Sequence, residues 1–149
     1  MKARIRGAAV IAHGNGIVFA RHHDTQRGLT WWSPPGGGVE GEETILVAAE
    51  REALEETSLR VVAERPIYAQ ELIDERRNSR TLELFILCRL ADSGALGDLK
   101  ADNEIDEVAL LTRETAVGQT ILPAVFAETV WDDLDHGFPE FRYLGVARL

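Results

Sequence analysis

The sequence predicts a mixed α/β domain. Short apolar runs rich in β-branched and aromatic residues alternate with glycine-bearing polar breaks, as strands and turns do. A mid-chain stretch of Glu, Ala, Leu and Arg reads as one helix, and apolar residues at three- and four-residue spacings near the end read as another. The chain has 149 residues, 45% of them hydrophobic and 28% charged, which suits one globular domain over 1–149. A chain of this length buries roughly two-thirds of its unfolded surface, enough for a core without staples. No repeat, low-complexity tract or linker divides it.

The first strand is expected in Gly7-Ala8-Ala9-Val10-Ile11-Ala12 and the second in Ile17-Val18-Phe19-Ala20. The break His13-Gly14-Asn15-Gly16, with its Asn-Gly pair, signals a hairpin between them. From Arg21 to Thr30 the composition turns polar and suggests a loop. Trp31-Trp32-Ser33-Pro34-Pro35-Gly36-Gly37-Gly38 then reads as backbone of unusual shape, open to close approach by a ligand.

A helix is expected from Glu42 or Glu43 to Thr57, with acids in its first turn. Val61-Val62, Ile67 to Leu72, Thr81 to Leu90 and Ile105 to Leu111 read as strands, and Ala91 to Lys100 as a loop. Thr120 to Leu134 reads as the second helix, ended by His136-Gly137-Phe138-Pro139.

Charge and cysteine content narrow the function. A net charge of −9 and a pI near 4.9 repel the phosphate backbone, so a polymeric nucleic acid is not expected as partner. A small phosphorylated substrate fits only if metal ions neutralise it locally. The single cysteine, Cys88, follows the apolar run Leu84 to Leu87 and reads as a buried strand residue. The N-terminus lacks a signal-peptide apolar core and no segment approaches about 18 uninterrupted apolar residues. A cytoplasmic protein without a membrane partner is the default expectation, and a homodimer is compatible with it.

The chemistry concentrates between Glu40 and Glu56, where seven acids surround one base, Arg51. On a helix, Glu52, Glu55 and Glu56 fall within an arc of roughly 100°. Two carboxylates about 4 Å apart repel by on the order of 4 kcal/mol at an effective dielectric near 20. Apolar residues on several sides of this helix (Ile45, Leu46, Val47, Ala53, Leu54) argue against a merely solvated acidic face. Carboxylate-rich sites suit hard cations such as Mg²⁺ or Mn²⁺.

Gly37, Glu43 and Arg51-Glu52-Ala53-Leu54-Glu55-Glu56-Thr57-Ser58-Leu59 together resemble the Nudix box, G-x5-E-x7-R-E-U-x-E-E-x-G-U with U apolar. The approach Trp32-Ser33-Pro34-Pro35-Gly36-Gly37-Gly38 resembles the family's lead-in, and the order of elements fits its α/β/α sandwich with a mixed sheet. Ser58 stands where the family has glycine, a residue that usually ends the helix in a left-handed conformation, and Glu42 stands where a glycine is common.

The resemblance implies metal-dependent hydrolysis of a phosphoanhydride in a nucleoside diphosphate linked to another group. Candidate substrates include ADP-ribose, oxidised nucleoside triphosphates, dinucleoside polyphosphates and nucleotide sugars. It implies that Glu52, Glu55, Glu56 and the Gly36 carbonyl ligate Mg²⁺ or Mn²⁺, with Arg51 and Glu43 orienting them. The general base is Glu52 or Glu55, or an acid from a later segment, where Glu104 is preferred to Glu107. Trp32, Gly37 and Gly38 are the substrate-contact candidates, with Trp31 as the alternative stacking ring. Arg21, His22 and His23 read as a solvated loop or a phosphate contact, and Arg76-Arg77-Asn78-Ser79-Arg80 as an anion contact or a hairpin tip. Two other functions compete: a non-catalytic nucleotide-sensing module of the same fold, and a prenyl diphosphate isomerase, which normally needs a catalytic cysteine in a different context.

Overall fold

The computed structural model describes residues 1–92, 95–96 and 105–149. Its centre is β1 (Lys2–His13), an apolar strand that three others use as a template. At its C-terminal end it pairs antiparallel with β2 (Gly16–Asp24), and Ala8 to Arg6 pair antiparallel with β4 (Gly36–Gly38). Along Lys2 to Ile11 it runs parallel to β6 (Ser79–Leu90). β3 (Leu29–Ser33) and β7 (Ile105–Thr112) flank β2, while β5 (Val61–Asp74) lies antiparallel to β6 and parallel to β8 (Arg142–Arg148). The result is a mixed sheet of order β3-β2-β1-β6-β5-β8.

The period of two along β1 divides the core between the faces of that sheet. Ala8 and Val10 join Phe19, Tyr68 and Phe85 beneath α3 (Ala124–Asp135), which contributes Phe126, Val130 and Trp131. Ala9 and Ile11 join Val18, Ile86 and Cys88 beneath α1 (Ile45–Thr57), which contributes Ala49 and Ala53. Helix, sheet and helix therefore form the three layers expected. Alanines on α1 and a glycine on β1 permit a close approach: a Cβ on Gly7 would meet the Ile45 carbonyl oxygen at 3.0 Å.

Several expected boundaries move. The Arg21–Thr30 loop is instead the paired ends of β2 and β3 around a short turn, with His22 opposite Trp31 and Asp24 opposite Leu29. The hairpin turn sits at Gly14-Asn15, where Gly14 takes φ +58°, one residue earlier than an Asn-Gly turn. Trp31 to Ser33 is strand, and the three glycines are not an open loop but β4, a short ribbon held on β1.

α1 starts at Ile45, after an N-cap by Thr44 whose side chain accepts a hydrogen bond from the Val47 amide. Glu42 and Glu43 thus precede the helix, and its first turn carries no acid. The two strands expected over 61–72 are one, continuous through Pro66 with register shifts on either side of it. The second helix begins at Ala124, four residues late, since Thr120 to Leu122 are bonded to the Trp32 backbone instead. A helical turn α2 (Arg113–Ala116) and the last strand β8 were not expected. Part of the Ala91–Lys100 loop lies outside the described residues. Among the described residues, no helix is long and apolar enough to cross a membrane.

Candidate active site

Two elements converge on the glutamate cluster. α1 presents Glu52, Glu55 and Glu56 one turn apart, and the β4 ribbon passes beside them because its glycines carry no side chain. A Cβ on Gly37 would overlap the Glu52 carboxylate. The Gly36 amide donates to Glu56 Oε2 at 2.6 Å, tying ribbon to helix.

Arg51 organises the rest. Its Nε and Nη2 donate to the two oxygens of Glu43 at 3.0 and 2.7 Å, a bidentate pair. Nη2 also donates to the Gly38 carbonyl at 3.1 Å. Nη1 donates to Glu52 Oε1 at 2.8 Å and to the more exposed Glu55 Oε2 at 3.2 Å. Glu43 closes the loop by accepting from the Glu40 amide at 2.8 Å. The hydrogen bond from Arg51, with the Glu40 amide behind it, lowers the Glu43 pKa below the ordinary carboxyl value, and Glu43 in turn raises that of Arg51. One guanidinium thus holds three glutamates and a backbone carbonyl, which explains how acids of one sign share this helix face.

Glu56 stands apart from that network. Burial pushes its pKa up to about 7, against the lowering effect of the Gly36 amide, and the charges of Glu52 and Glu55 push it the same way. Arg6 on β1 pulls it back. The donor chemistry, half-buried Glu52 and Glu56 beside an exposed Glu55, fits a hard divalent cation. Among the described residues, no group of three or more His, Cys, Asp or Glu side chains is gathered to hold a metal, and Glu52 and Glu55 are turned to Arg51.

The other expected residues are placed as follows. Glu104 lies outside the described residues. Glu107 is on β7 and pairs with Arg21 at 3.1 Å. Trp32 is buried, with Nε1 donating to Gln119 Oε1 at 3.1 Å and Arg21 over its ring, so it is a core residue rather than a stacking surface. Trp31 is the accessible ring, stacked on His22 at 5.4 Å between centroids. Gly37 and Gly38 face β1 in register with Gly7 and Arg6. Arg76 to Asn78 form the hairpin tip between β5 and β6, with Asn78 at φ +49°. Cys88 is sealed in the α1-side core, where burial pushes its thiol up to about 12, which leaves no reactive thiol for a cysteine-dependent isomerase.

Residues that the sequence reading passed over lie next door. Arg6 pairs with buried Glu83 at 2.7 Å, and Gln70 is in register beside Glu83 on β5. The signal was present: Thr81, Glu83 and Phe85 alternate on one strand face, so an acid occupies a core-facing position. This polar row floors a cleft of about 520 Å³, walled by Trp31, Leu72, Pro123 and Val125.

The NUDIX domain family matches residues 1–130. No curated protein matches the chain by sequence. Solved structures share the fold at low identity. A NUDIX hydrolase from Nitrosomonas europaea superposes with a TM-score of 0.78 at 22% identity, over 100% of this chain and 81% of that one. An ADP-ribose pyrophosphatase from Streptococcus suis gives 0.69 at 21%, over 94% and 98%. The MutT protein from Methanosarcina mazei gives 0.69 at 20%, over 93% and 97%.

Proposed function

The chain belongs to the NUDIX family and is a pyrophosphohydrolase; from that premise we propose that it acts on nucleoside diphosphate derivatives in a metal-dependent reaction in which Glu52, Glu55 and Glu56 hold one or more Mg²⁺ or Mn²⁺ ions. The observation that carries this reading is the glutamate face of α1, where half-buried Glu56 is pushed to about 7 by desolvation and by the charges of Glu52 and Glu55. A half-buried carboxylate outside the Arg51 network and beside two others is costly, and a divalent ion is the natural counter-charge. Bound there, a divalent ion would neutralise diphosphate charge and lower the pKa of the attacking water.

The chain's own residues supply the remainder. Water adds to one phosphorus of the anhydride, the bridging P–O bond breaks, and both phosphate products leave with the water's oxygen on one of them. The proton released passes to a carboxylate: Glu55, the most solvent-open of the three at 53% exposure, is the first candidate, with Glu52 and Glu104 as the others. Arg51 and Glu43 keep Glu52 and Glu55 in their rotamers. The Gly36–Gly38 ribbon brings backbone polar groups to the same edge of the sheet.

The test is turnover on a panel of nucleoside diphosphate derivatives (ADP-ribose, nucleotide sugars, dinucleoside polyphosphates, nucleoside triphosphates) with Mg²⁺, read by phosphate release after a coupled phosphatase. Activity should vanish with chelator, and Glu55→Gln should lower kcat by about 10²-fold or more, the usual scale for a general base. Full activity in Glu55→Gln would remove it from the mechanism. Binding without metal-dependent turnover on any substrate would favour a nucleotide-sensing module instead.

A further inference from the structure

α1 covers only part of the sheet face on which it packs. It begins at Ile45, against Gly7, so toward the N-terminal end of β1 that face runs on past the helix. There Ile5, Leu82, Glu71 and Val146 stand in register across β1, β6, β5 and β8. Tyr143 joins the row, its hydroxyl donating to Glu71 Oε2 at 2.6 Å. By the period of two along β1, Ile5 lies on the side of Gly7 and Ala9, the α1 side. Ile5, Leu82, Tyr143 and Val146 are each between 39 and 59% exposed.

Two of the pairings in this row, β1 with β6 and β5 with β8, are parallel, and parallel strands ordinarily lie under cover on both faces. At those exposures the four side chains leave roughly 400 Å² of mainly apolar surface in water, a patch of the size that marks an interaction site. That is about half of what one partner buries in an interface of standard size, which leaves the remainder to a polar rim.

The charges identify the occupant. Glu71 is in the row, and Arg80 lies two residues from Leu82 on β6, hence on the same face, opposite Ile73. Glu71 is the main cause that raises the Tyr143 hydroxyl, and the charge of Arg80 opposes it, so both act at this patch. Among the described residues neither makes an ion pair, whereas Arg148 at the patch edge is paired with Glu75 at 3.3 Å. An acid and a base side by side, each without a counter-ion, make the face self-complementary. A two-fold axis brings Glu71 of each copy to Arg80 of the other, the condition that an isologous contact must meet.

We propose that this face is a homodimer interface, in which two copies stack the uncovered rows of their sheets and Glu71 of each chain pairs with the partner's Arg80. Leu82 and Val146 lie at the apolar centre of the contact, and no residue of the glutamate cluster takes part in it.

The test weighs the chain in solution by sedimentation equilibrium, over roughly 1–100 µM at about 0.15 M salt. Wild type should reach twice its 16.5 kDa. Arg80→Glu and Glu71→Arg each set like charges face to face, and each should raise the dimer dissociation constant by about 100-fold or more. An equimolar mixture of the two variants should recover the wild-type constant within about tenfold, because every charge then meets its opposite. If either charge variant fails to fold, Leu82→Lys, at an exposed position, takes its place and should dissociate the dimer likewise. A monomer at every concentration would overturn the proposal, and so would a dimer that survives these substitutions. Charge variants that dissociate but do not recombine when mixed would overturn the pairing of Glu71 with Arg80 and the two-fold arrangement with it.

Discussion

At the scale of single residues, Glu56 carries two consequences of its burial that can be separated by pH. Its folded pKa of about 7 exceeds the ordinary carboxyl value of 4.5, so between these the folded state holds a proton that the unfolded state has lost. The fold therefore loses stability as pH rises from 4.5 to 7, and the loss levels off above 7. Glu56→Gln removes the charge, so without metal its stability advantage over wild type should be small at pH 5 and grow toward pH 8 to on the order of 2 kcal/mol. Thermal melts of both proteins in chelator across that range check it; a constant difference would refute the burial argument. Mg²⁺ should reverse the ranking, because only the carboxylate gains a cation.

The acids and Arg51 were readable because their spacing on a helix puts them on one face whatever the tertiary structure. Gln70 was not, since a polar residue in a strand gives no sign of being buried until the pairing of β5 with β6 is known. Trp31 and Trp32 could not be told apart for a related reason. Neighbours in a strand face opposite ways, and sequence alone does not say which way is inward.

At the scale of elements, α1 ends in a way that composition alone makes awkward. Ser58 sits at φ +63°, and its amide donates to the Leu54 carbonyl at 2.9 Å, the hydrogen bond of a left-handed helix terminus. A side chain there costs about 1 kcal/mol that glycine avoids. Ser58→Gly should therefore raise Tm by about 2–4 °C with kcat unchanged, measured by melting and by turnover on the best substrate. A drop in Tm would mean that the serine side chain makes a compensating contact.

The start of α1 was misjudged by acids that resemble a first turn. Glu43 is instead drawn away from the helix by Arg51, and Thr44 caps it. β8 escaped because Gly145, at φ +88°, interrupts its apolar pattern and its exposed side chains do not alternate cleanly.

At the scale of the whole molecule, Asp133 links three elements. Buried on α3, it accepts from Tyr68 of β5 at 2.7 Å and from Arg142 of β8 at 2.8 and 2.9 Å. The hydrogen bonds from Arg142, with Tyr68 in support, hold its carboxyl below the ordinary value of 3.8, whereas burial and the same carboxylate raise the Tyr68 hydroxyl. A depressed carboxyl contributes stability that is present above the unfolded pKa of 3.8 and is lost as pH falls through its lower folded value. Asp133→Asn should cost about 3 kcal/mol at pH 7, and less than that below pH 3, by denaturant titration. A cost that does not shrink in acid would assign the effect to packing.

The strand order belongs to this scale too, and it was the least legible part of the fold. Nothing local in β1 announces that it runs parallel to β6, some seventy residues later, since that choice is made by which apolar faces the two helices must cover. The family resemblance supplied the layers in advance; the residues did not.

The three consecutive glycines of β4 look interchangeable in the sequence, yet the space around each differs. An added methyl on Gly36 would strike the β1 backbone at 2.8 Å, and one on Gly37 would strike the Glu52 carboxylate. The same methyl on Gly38 would find its nearest neighbour at 4.0 Å. Mutational tolerance along the motif is thus uneven: the first position guards the sheet, the second guards the chemistry, and the third is open to variation.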